Sequence, residues 1–252
     1  STPPTVVSCN AGQYGIYVCV YAPAGKFAPS SSAMYATDCA SGTYQALTGQ
    51  TSCIDASAGY YVPSTGQSGQ TAGAVGTYQA DTGHNSCNDA SAGYYVPSTG
   101  QLVQTACSFG TYQADTGHNA CNIADAGHYV NLSLGTAQTS QTACFAGTYN
   151  PNNGSTNSFA CVSSDAGHYV SSTGQSTPTA CFAGTYNPDT GSTSPSACVP
   201  SETGHYVDLS LGTGQSGPTA CLAGTYNPDT GSTNPSACIP SNAGHYVPST
   251  GQ

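Results

Sequence analysis

Thirteen cysteines are the residues of this 252-residue chain whose type and spacing carry the clearest chemistry. Most of them enclose short loops, as in CASGTYQALTGQTSC from Cys39 to Cys53 and CSFGTYQADTGHNAC from Cys107 to Cys121. Such pairs form disulfides, which in small secreted domains take the place of a large hydrophobic core. The spacing therefore predicts a disulfide framework.

Two sets of polar residues also recur at fixed positions. They are His128, His168, His205 and His245 after A-G or T-G, and Asp81, Asp115, Asp189 and Asp229 before T-G. A row of imidazoles can bind metal, and calcium needs six to eight oxygens from several carboxylates. However, Tyr60 and Tyr94 take the histidine position in earlier repeats, and each repeat offers few acids. We therefore expect ring packing and turn formation, with no metal and no cofactor.

Composition narrows the class of protein further. The chain has eleven acidic residues and one cationic residue, Lys26, and its formal net charge is −10. One lysine cannot neutralise a phosphate backbone, so nucleic acid is excluded as a partner.

The longest apolar stretch, GIYVCVYA, is less than half the length of a transmembrane helix, and we expect no membrane insertion. No Ser, His and acid constellation stands out from the repeats, so we expect the chain not to be an enzyme.

Internal repeats organise the whole sequence. Repeat starts fall at cysteines, or at Gly73 in their place, and successive periods grow from 30 to 40 residues. The predicted divisions are an atypical N-terminal capping repeat, 1–38, then repeats at 39–72, 73–106, 107–143, 144–180, 181–220 and 221–252, the last of them incomplete. Nothing in the pattern decides whether the chain continues beyond Gln252.

Each repeat consists of two half-units of about 17 to 20 residues that share a G-x-Y anchor. Tyr, Val and Thr favour strands, while NPDTG and PSTG supply bends. The sequence therefore predicts an all-β, small disulfide-rich fold, an elongated tandem array of short β-hairpin half-units stapled by disulfides. The three-residue insertions near the tips are compatible with a longer hairpin loop or with one turn of polyproline II.

The phase of cysteine pairing follows from Gly73, which removes one partner from a regular set of fourteen. Pairing within half-units leaves only Cys87 alone, whereas pairing across to the next repeat leaves Cys9, Cys53 and Cys238 unpaired. The first phase is preferred. It predicts the bonds Cys9–Cys19, Cys39–Cys53, Cys107–Cys121, Cys144–Cys161, Cys181–Cys198 and Cys221–Cys238. Cys87 is either left unpaired because its partner position is Gly73, or it forms a disulfide with another chain. The first alternative is favoured.

The run C-x-x-G-T-Y-x(n)-C resembles the ephrin-receptor-like cysteine-rich repeats and the first module of tumour-necrosis-factor-receptor cysteine-rich domains. The recurring AGYYVPSTGQ also resembles long tandem-repeat surface proteins of aquatic microorganisms. The resemblance extends from Cys9 to the end and implies a secreted, non-enzymatic rod with bridges inside each module. The receptor modules have C-x-x-C at the junction where this chain has one cysteine, so receptor function is not carried over.

Two function classes follow for an extracellular chain of this kind. The preferred one is a structural repeat protein that self-associates into a filament or surface appendage, and the alternative is an adhesin stalk or receptor-like ectodomain. Sequons at Asn131 and Asn153 lie in or beside the insertions and predict covalent glycans. The N-terminus reads as that of a mature exported chain, and the atypical first repeat is expected to make end-to-end contact between copies.

Overall fold

The computed structural model describes residues 5–252, so the first four residues of the predicted capping repeat lie outside the described residues. The described chain consists of two-residue strands that pair with their sequence neighbours as antiparallel hairpins. It contains no α-helix within residues 5–252. The predicted all-β, disulfide-rich fold of tandem hairpins is confirmed.

Two compact units divide the described residues. Unit 1 comprises residues 5–108, 112–122 and 136–139, and unit 2 comprises 109–111, 123–135 and 140–252. The strands of unit 1 are β1 Gln13–Tyr14, β2 Val20–Tyr21, β3 Lys26–Phe27, β4 Thr37–Asp38, β5 Thr43–Tyr44, β6 Ile54–Asp55, β7 Tyr60–Tyr61, β8 Thr71–Ala72, β9 Thr77–Tyr78, β10 Asn88–Asp89, β11 Tyr94–Tyr95 and β12 Thr105–Ala106. The next two strands are β13 Thr111–Tyr112 and β14 Asn122–Ile123.

Unit 2 combines strands with short 3₁₀ helices. Its strands are β15 His128–Tyr129, β16 Thr142–Ala143, β17 Thr148–Tyr149, β18 Val162–Ser163, β19 His168–Tyr169, β20 Thr179–Ala180, β21 Thr185–Tyr186, β22 Val199–Pro200, β23 His205–Tyr206, β24 Thr219–Ala220, β25 Thr225–Tyr226 and β26 Ile239–Pro240. Its 3₁₀ helices are η1 Leu132–Leu134, η2 Ser158–Ala160, η3 Pro195–Ala197, η4 Leu209–Leu211 and η5 Pro235–Ala237.

Each half-unit begins with a tight turn, which sets the direction of the strand that carries the anchor tyrosine. In the turn of residues 40–43, the Thr43 amide donates to the Ala40 carbonyl at 3.0 Å, and Gly42 has φ of 85°. Glycine adopts this positive φ without a steric cost, as the third residue of a type II turn requires. The strand that follows pairs Tyr44 with Ile54 in the return strand.

Backbone hydrogen bonds join each half-unit to the next within both units. In unit 1 the Gly42 amide donates to the Val62 carbonyl and the Ala56 amide donates to the Gly42 carbonyl, both at 2.8 Å. In unit 2 the Gly167 amide donates to the Asn187 carbonyl at 2.6 Å. The stacking therefore uses groups that every residue type supplies, which is why side chains can vary between repeats.

From Tyr44 to Tyr226, the residue after each anchor tyrosine is buried, and this position alternates between amides and valines. The buried amides are Gln45, Gln79, Gln113, Asn150, Asn187 and Asn227, and the buried valines between them are Val62, Val96, Val130, Val170 and Val207. We call this set the core column. Because so few large apolar residues are buried, disulfides and hydrogen bonds must supply much of the stability.

The buried amides hold the loop of their own half-unit. The Gln45 Nε2 donates to the Ser52 carbonyl at 2.8 Å, and its Oε1 accepts from the Leu47 amide at 3.1 Å. The shorter Asn187 instead donates from Nδ2 to the His168 carbonyl and to Ser192 Oγ, each at 2.9 Å. Every polar atom of these side chains is thereby paired, as burial requires.

The three-residue insertions lengthen hairpin loops, as the first of the two predicted conformations has it, and the added residues form 3₁₀ turns. Asn131 and Asn157 precede such turns and accept hydrogen bonds from Ser133 N and Phe159 N through Oδ1. Pro195 and Pro235 begin two others, where their missing N–H costs no hydrogen bond. Capping residues and proline thus direct the insertion into a 3₁₀ turn.

Candidate functional site

Six disulfides close the first half-units of the repeats. In unit 1 they join Cys9 to Cys19, Cys39 to Cys53, and Cys107 to Cys121. In unit 2 they join Cys144 to Cys161, Cys181 to Cys198, and Cys221 to Cys238. The first cysteine of each pair is buried, and its backbone belongs to the stack. The bonds therefore fasten each variable loop to the invariant part of its half-unit.

Cys87 is the free cysteine among the described residues, and it faces Gly73. A Cβ atom added to Gly73 would lie 2.8 Å from the Cys87 Sγ. Tyr61, Ala74, Thr77 and Ser86 line a shallow cavity beside the thiol with a volume of about 240 Å³. Burial raises the pKa of the Cys87 thiol, and a hydrogen bond with Thr77 lowers it to a smaller extent.

Alkylation of Cys87 is expected to be slower in the folded protein than in urea at neutral pH. The thiolate is the reacting form, and a raised pKa reduces its fraction at any pH below that pKa. The rate in the folded protein should therefore continue to rise with pH after the rate in the unfolded chain has levelled off. Iodoacetamide kinetics followed by mass spectrometry measure both profiles. A midpoint that is equal or lower in the folded protein would contradict the expected shift.

His128, His168 and His205 lie against glycine turns of later half-units, whereas His245 is exposed. A Cβ atom added to Gly174 would lie 3.0 Å from His128 Cε1, and Gly251 stands in the same relation to His205. The Nδ1 atom of His128 lies 3.3 Å from the Ala126 carbonyl. Within residues 5–252 no group of three or more His, Cys, Asp or Glu side chains is arranged to hold a metal ion.

The four turn aspartates take part in their turns through their backbone amides, which donate to the buried amides of the core column. The Asp81 amide donates to Gln79 Oε1 and the Asp189 amide to Asn187 Oδ1, both at 3.1 Å. From Tyr44 onward, Gln or Asn alternates with Val after the anchor tyrosine, and this alternation is the sequence signal for the buried amides. Their burial was not predicted because Gln and Asn side chains are usually exposed.

The two sequons differ in accessibility. Asn153 is exposed, and its Oδ1 accepts a hydrogen bond from the Ala126 amide at 2.7 Å. Asn131 is half-buried, and its Oδ1 accepts from both the amide and the hydroxyl of Ser133. An N-linked sugar is attached to Nδ2, which neither set of hydrogen bonds uses.

Comparison with models of known protein families and with curated proteins finds no match for this sequence. Across residues 5–252 no helix has the length and apolar character that crossing a bilayer requires. The fold itself, a cysteine-rich array of stapled hairpins, fits an extracellular structural or receptor-like protein. Six disulfides are typical of chains that mature in an oxidising compartment.

Proposed function

We propose that this chain is a secreted structural repeat protein, a building block of a glycosylated filament or surface appendage. The observation that carries the proposal is the stacking of half-units through backbone hydrogen bonds, such as Gly42 N to Val62 O and Gly127 N to Asn150 O. A stack of this kind can be extended by copying a repeat, because each half-unit contacts mainly its neighbours. Adding repeats to such an architecture makes the protein longer, which is what a filament or appendage requires.

The surface also suits a fibre component with a sugar coat. Charged residues make up only 5% of the chain, and a hydrated glycan layer would add to the repulsion between copies that the net charge of −10 supplies. Asn153 is the better placed of the two sequons because it is exposed. The proposal assigns no catalytic role, because the rings of His128, His168 and His205 lie against turns.

Self-association is assigned to the first repeat. Large apolar side chains are concentrated there, with Val18, Tyr21 and Tyr35 at 71%, 66% and 74% exposure. Val6, Ile16 and Met34 line a shallow cavity of about 230 Å³ in the same repeat. Exposed apolar patches of this kind mark protein contacts.

The alternative is an adhesin stalk or receptor-like ectodomain related to the ephrin-receptor-like repeats. Its supporting feature is the disulfide inside each C-x-x-G-T-Y module, as from Cys107 to Cys121. Such a protein would remain as separate molecules and would bind its partner through one surface.

Electron microscopy and intact mass test the proposal together. The full chain, secreted from a eukaryotic host, should form filaments in negative stain and should have a mass above the bare 25.1 kDa. Asn153→Gln should remove a glycan that an endoglycosidase also releases. Single particles at all concentrations would favour the stalk or receptor alternative, and a bare mass would refute glycosylation.

A further inference from the structure

Tyrosine side chains differ sharply in exposure along this chain. All eighteen tyrosines lie among the described residues, and fourteen of them are half-buried or buried. The four exposed ones, at 54%, 66%, 74% and 84%, are Tyr17, Tyr21, Tyr35 and Tyr246. Three of these four lie in the first repeat, 1–38, to which the proposed function assigns self-association.

Two of the exposed tyrosines neighbour the apolar cavity of the first repeat in sequence. Tyr17 follows Ile16, and Tyr35 follows Met34. Both of the preceding residues, Ile16 and Met34, line that cavity. The two phenols are therefore carried by the segments that form the surface through which we expect copies to meet.

The third tyrosine of the first repeat is held at the surface by a later half-unit. A Cβ atom added to Gly49 would lie 2.8 Å from the Tyr21 Cδ1, so one edge of the ring rests on this glycine. Two thirds of the side chain nevertheless remains exposed. Its position is fixed while its phenol is open to a second molecule.

Composition makes tyrosine the main side chain through which copies can be joined covalently. The chain has no tryptophan and one methionine, Met34, whose oxidation gives a sulfoxide and joins no chains. The free thiol of Cys87 is half-buried. Cross-links that use a lysine amine have a single donor, Lys26, and its Nζ already pairs with Asp38 at 2.7 Å.

The distribution of charge favours a second copy of this chain as the partner. Every acidic residue lies at Asp38 or later, so residues 1–37 contain no acid and one cation, Lys26. This segment can approach another copy, whose net charge is −10, without repulsion between carboxylates. The other copy also presents exposed phenols of its own, which a cross-link between tyrosines requires.

We propose that Tyr17, Tyr21 and Tyr35 are oxidative cross-linking sites that couple to exposed tyrosines of a second copy, which rests on the proposed self-association of the first repeat. Each phenol loses one electron and one proton, and the two radicals form a carbon–carbon bond between ring carbons adjacent to the C–OH carbons. The hydrogens of the coupled carbons move to the oxygens, which restores both phenols. The oxidant is hydrogen peroxide used by a haem peroxidase, and it takes up the two electrons and two protons to become two waters.

Treatment of assembled filaments of the full chain with a haem peroxidase and hydrogen peroxide tests the proposal. Denaturing gels run with reductant should show covalent dimers and larger species. A carbon–carbon bond survives the reductant, whereas a disulfide between copies through Cys87 does not. Peptide mapping by mass spectrometry should find the coupled tyrosines in peptides that contain Tyr17, Tyr21 or Tyr35.

Two triple variants separate the exposed phenols from tyrosine in general. The test variant keeps the rings, removes the three exposed phenols of the first repeat and should lose most of the covalent dimer: Tyr17→Phe, Tyr21→Phe, Tyr35→Phe. The control removes three half-buried phenols and should retain the dimer: Tyr44→Phe, Tyr78→Phe, Tyr112→Phe.

Three results would overturn the cross-link alone: equal dimer yields from the two variants, coupling mapped only to other tyrosines, or no covalent dimer from assembled filaments. Filament formation is measured before the peroxidase is added. A chain that stays as single particles at that stage refutes the proposed function and, with it, this proposal.

Discussion

Replacing Gly73 by cysteine is expected to close a disulfide to Cys87 and to stabilise the protein by about 3 kcal/mol, the loop-closure value for a loop of this size. The Cβ position at Gly73 lies 2.8 Å from the Cys87 Sγ, close to the separation of about 3 Å between a Cβ and its partner's sulfur across a disulfide. The backbone is already correct, because the Gly73 amide and carbonyl bond Gly59 and Gly100 as those of Cys39 bond Gly25 and Gly66.

Thiol titration and urea unfolding measure the two parts of this result. The variant should have no free thiol, and its unfolding midpoint without reductant should exceed that of the unmodified chain, in which the other six disulfides are also intact. Gly73→Ala is the control, because it adds the same Cβ without a bond and crowds the Cys87 Sγ. Two titratable thiols in the folded variant, or stability equal to that of Gly73→Ala, would contradict the expectation.

Replacing Asn187 by leucine is expected to destabilise unit 2 by about 3 kcal/mol, despite the similar side-chain size. The buried amide bonds the His168 carbonyl, Ser192 Oγ and the Asp189 amide, and leucine leaves all three without this partner. Buried polar groups without a hydrogen bond cost about 1–3 kcal/mol each. Urea unfolding followed by tyrosine fluorescence measures the loss.

Asn157→Leu provides the comparison. Asn157 is exposed and accepts one hydrogen bond, from the Phe159 amide, so its replacement should cost about 1 kcal/mol, as loss of a helix cap does. Equal destabilisation by the two substitutions would mean that burial of the Asn187 amide does not determine its contribution.

The hairpins and their disulfides could be predicted because local chemistry determines them. The G-x-Y anchor selects a strand, the preceding glycine selects a type II turn, and the substitution at Gly73 distinguishes the two pairing phases by count alone. The structure has the same six disulfides and leaves Cys87 free. The predicted repeat boundaries, glycans and partners remain predictions.

The buried amides could not be predicted in the same way, because they depend on contacts between half-units. Asn150 donates to the His128 carbonyl, 22 residues away, and this partner is known only once the stack is known. The 3₁₀ insertions were missed for a smaller reason, since their capping asparagines and prolines read equally well as loop residues.

The six disulfides also determine how far the chain can lengthen under a pulling force. The loop from Cys181 to Cys198 spans 17 residues, yet its ends are held 5.5 Å apart at their Cα atoms. Fully extended, a segment of that length would reach about 58 Å, so the bond withholds roughly 50 Å of extension. The segment 73–87 and the second half-units between the bridges have no such tether and can be drawn out completely. A load on this protein would therefore lengthen these segments, while the six tethered loops stay closed.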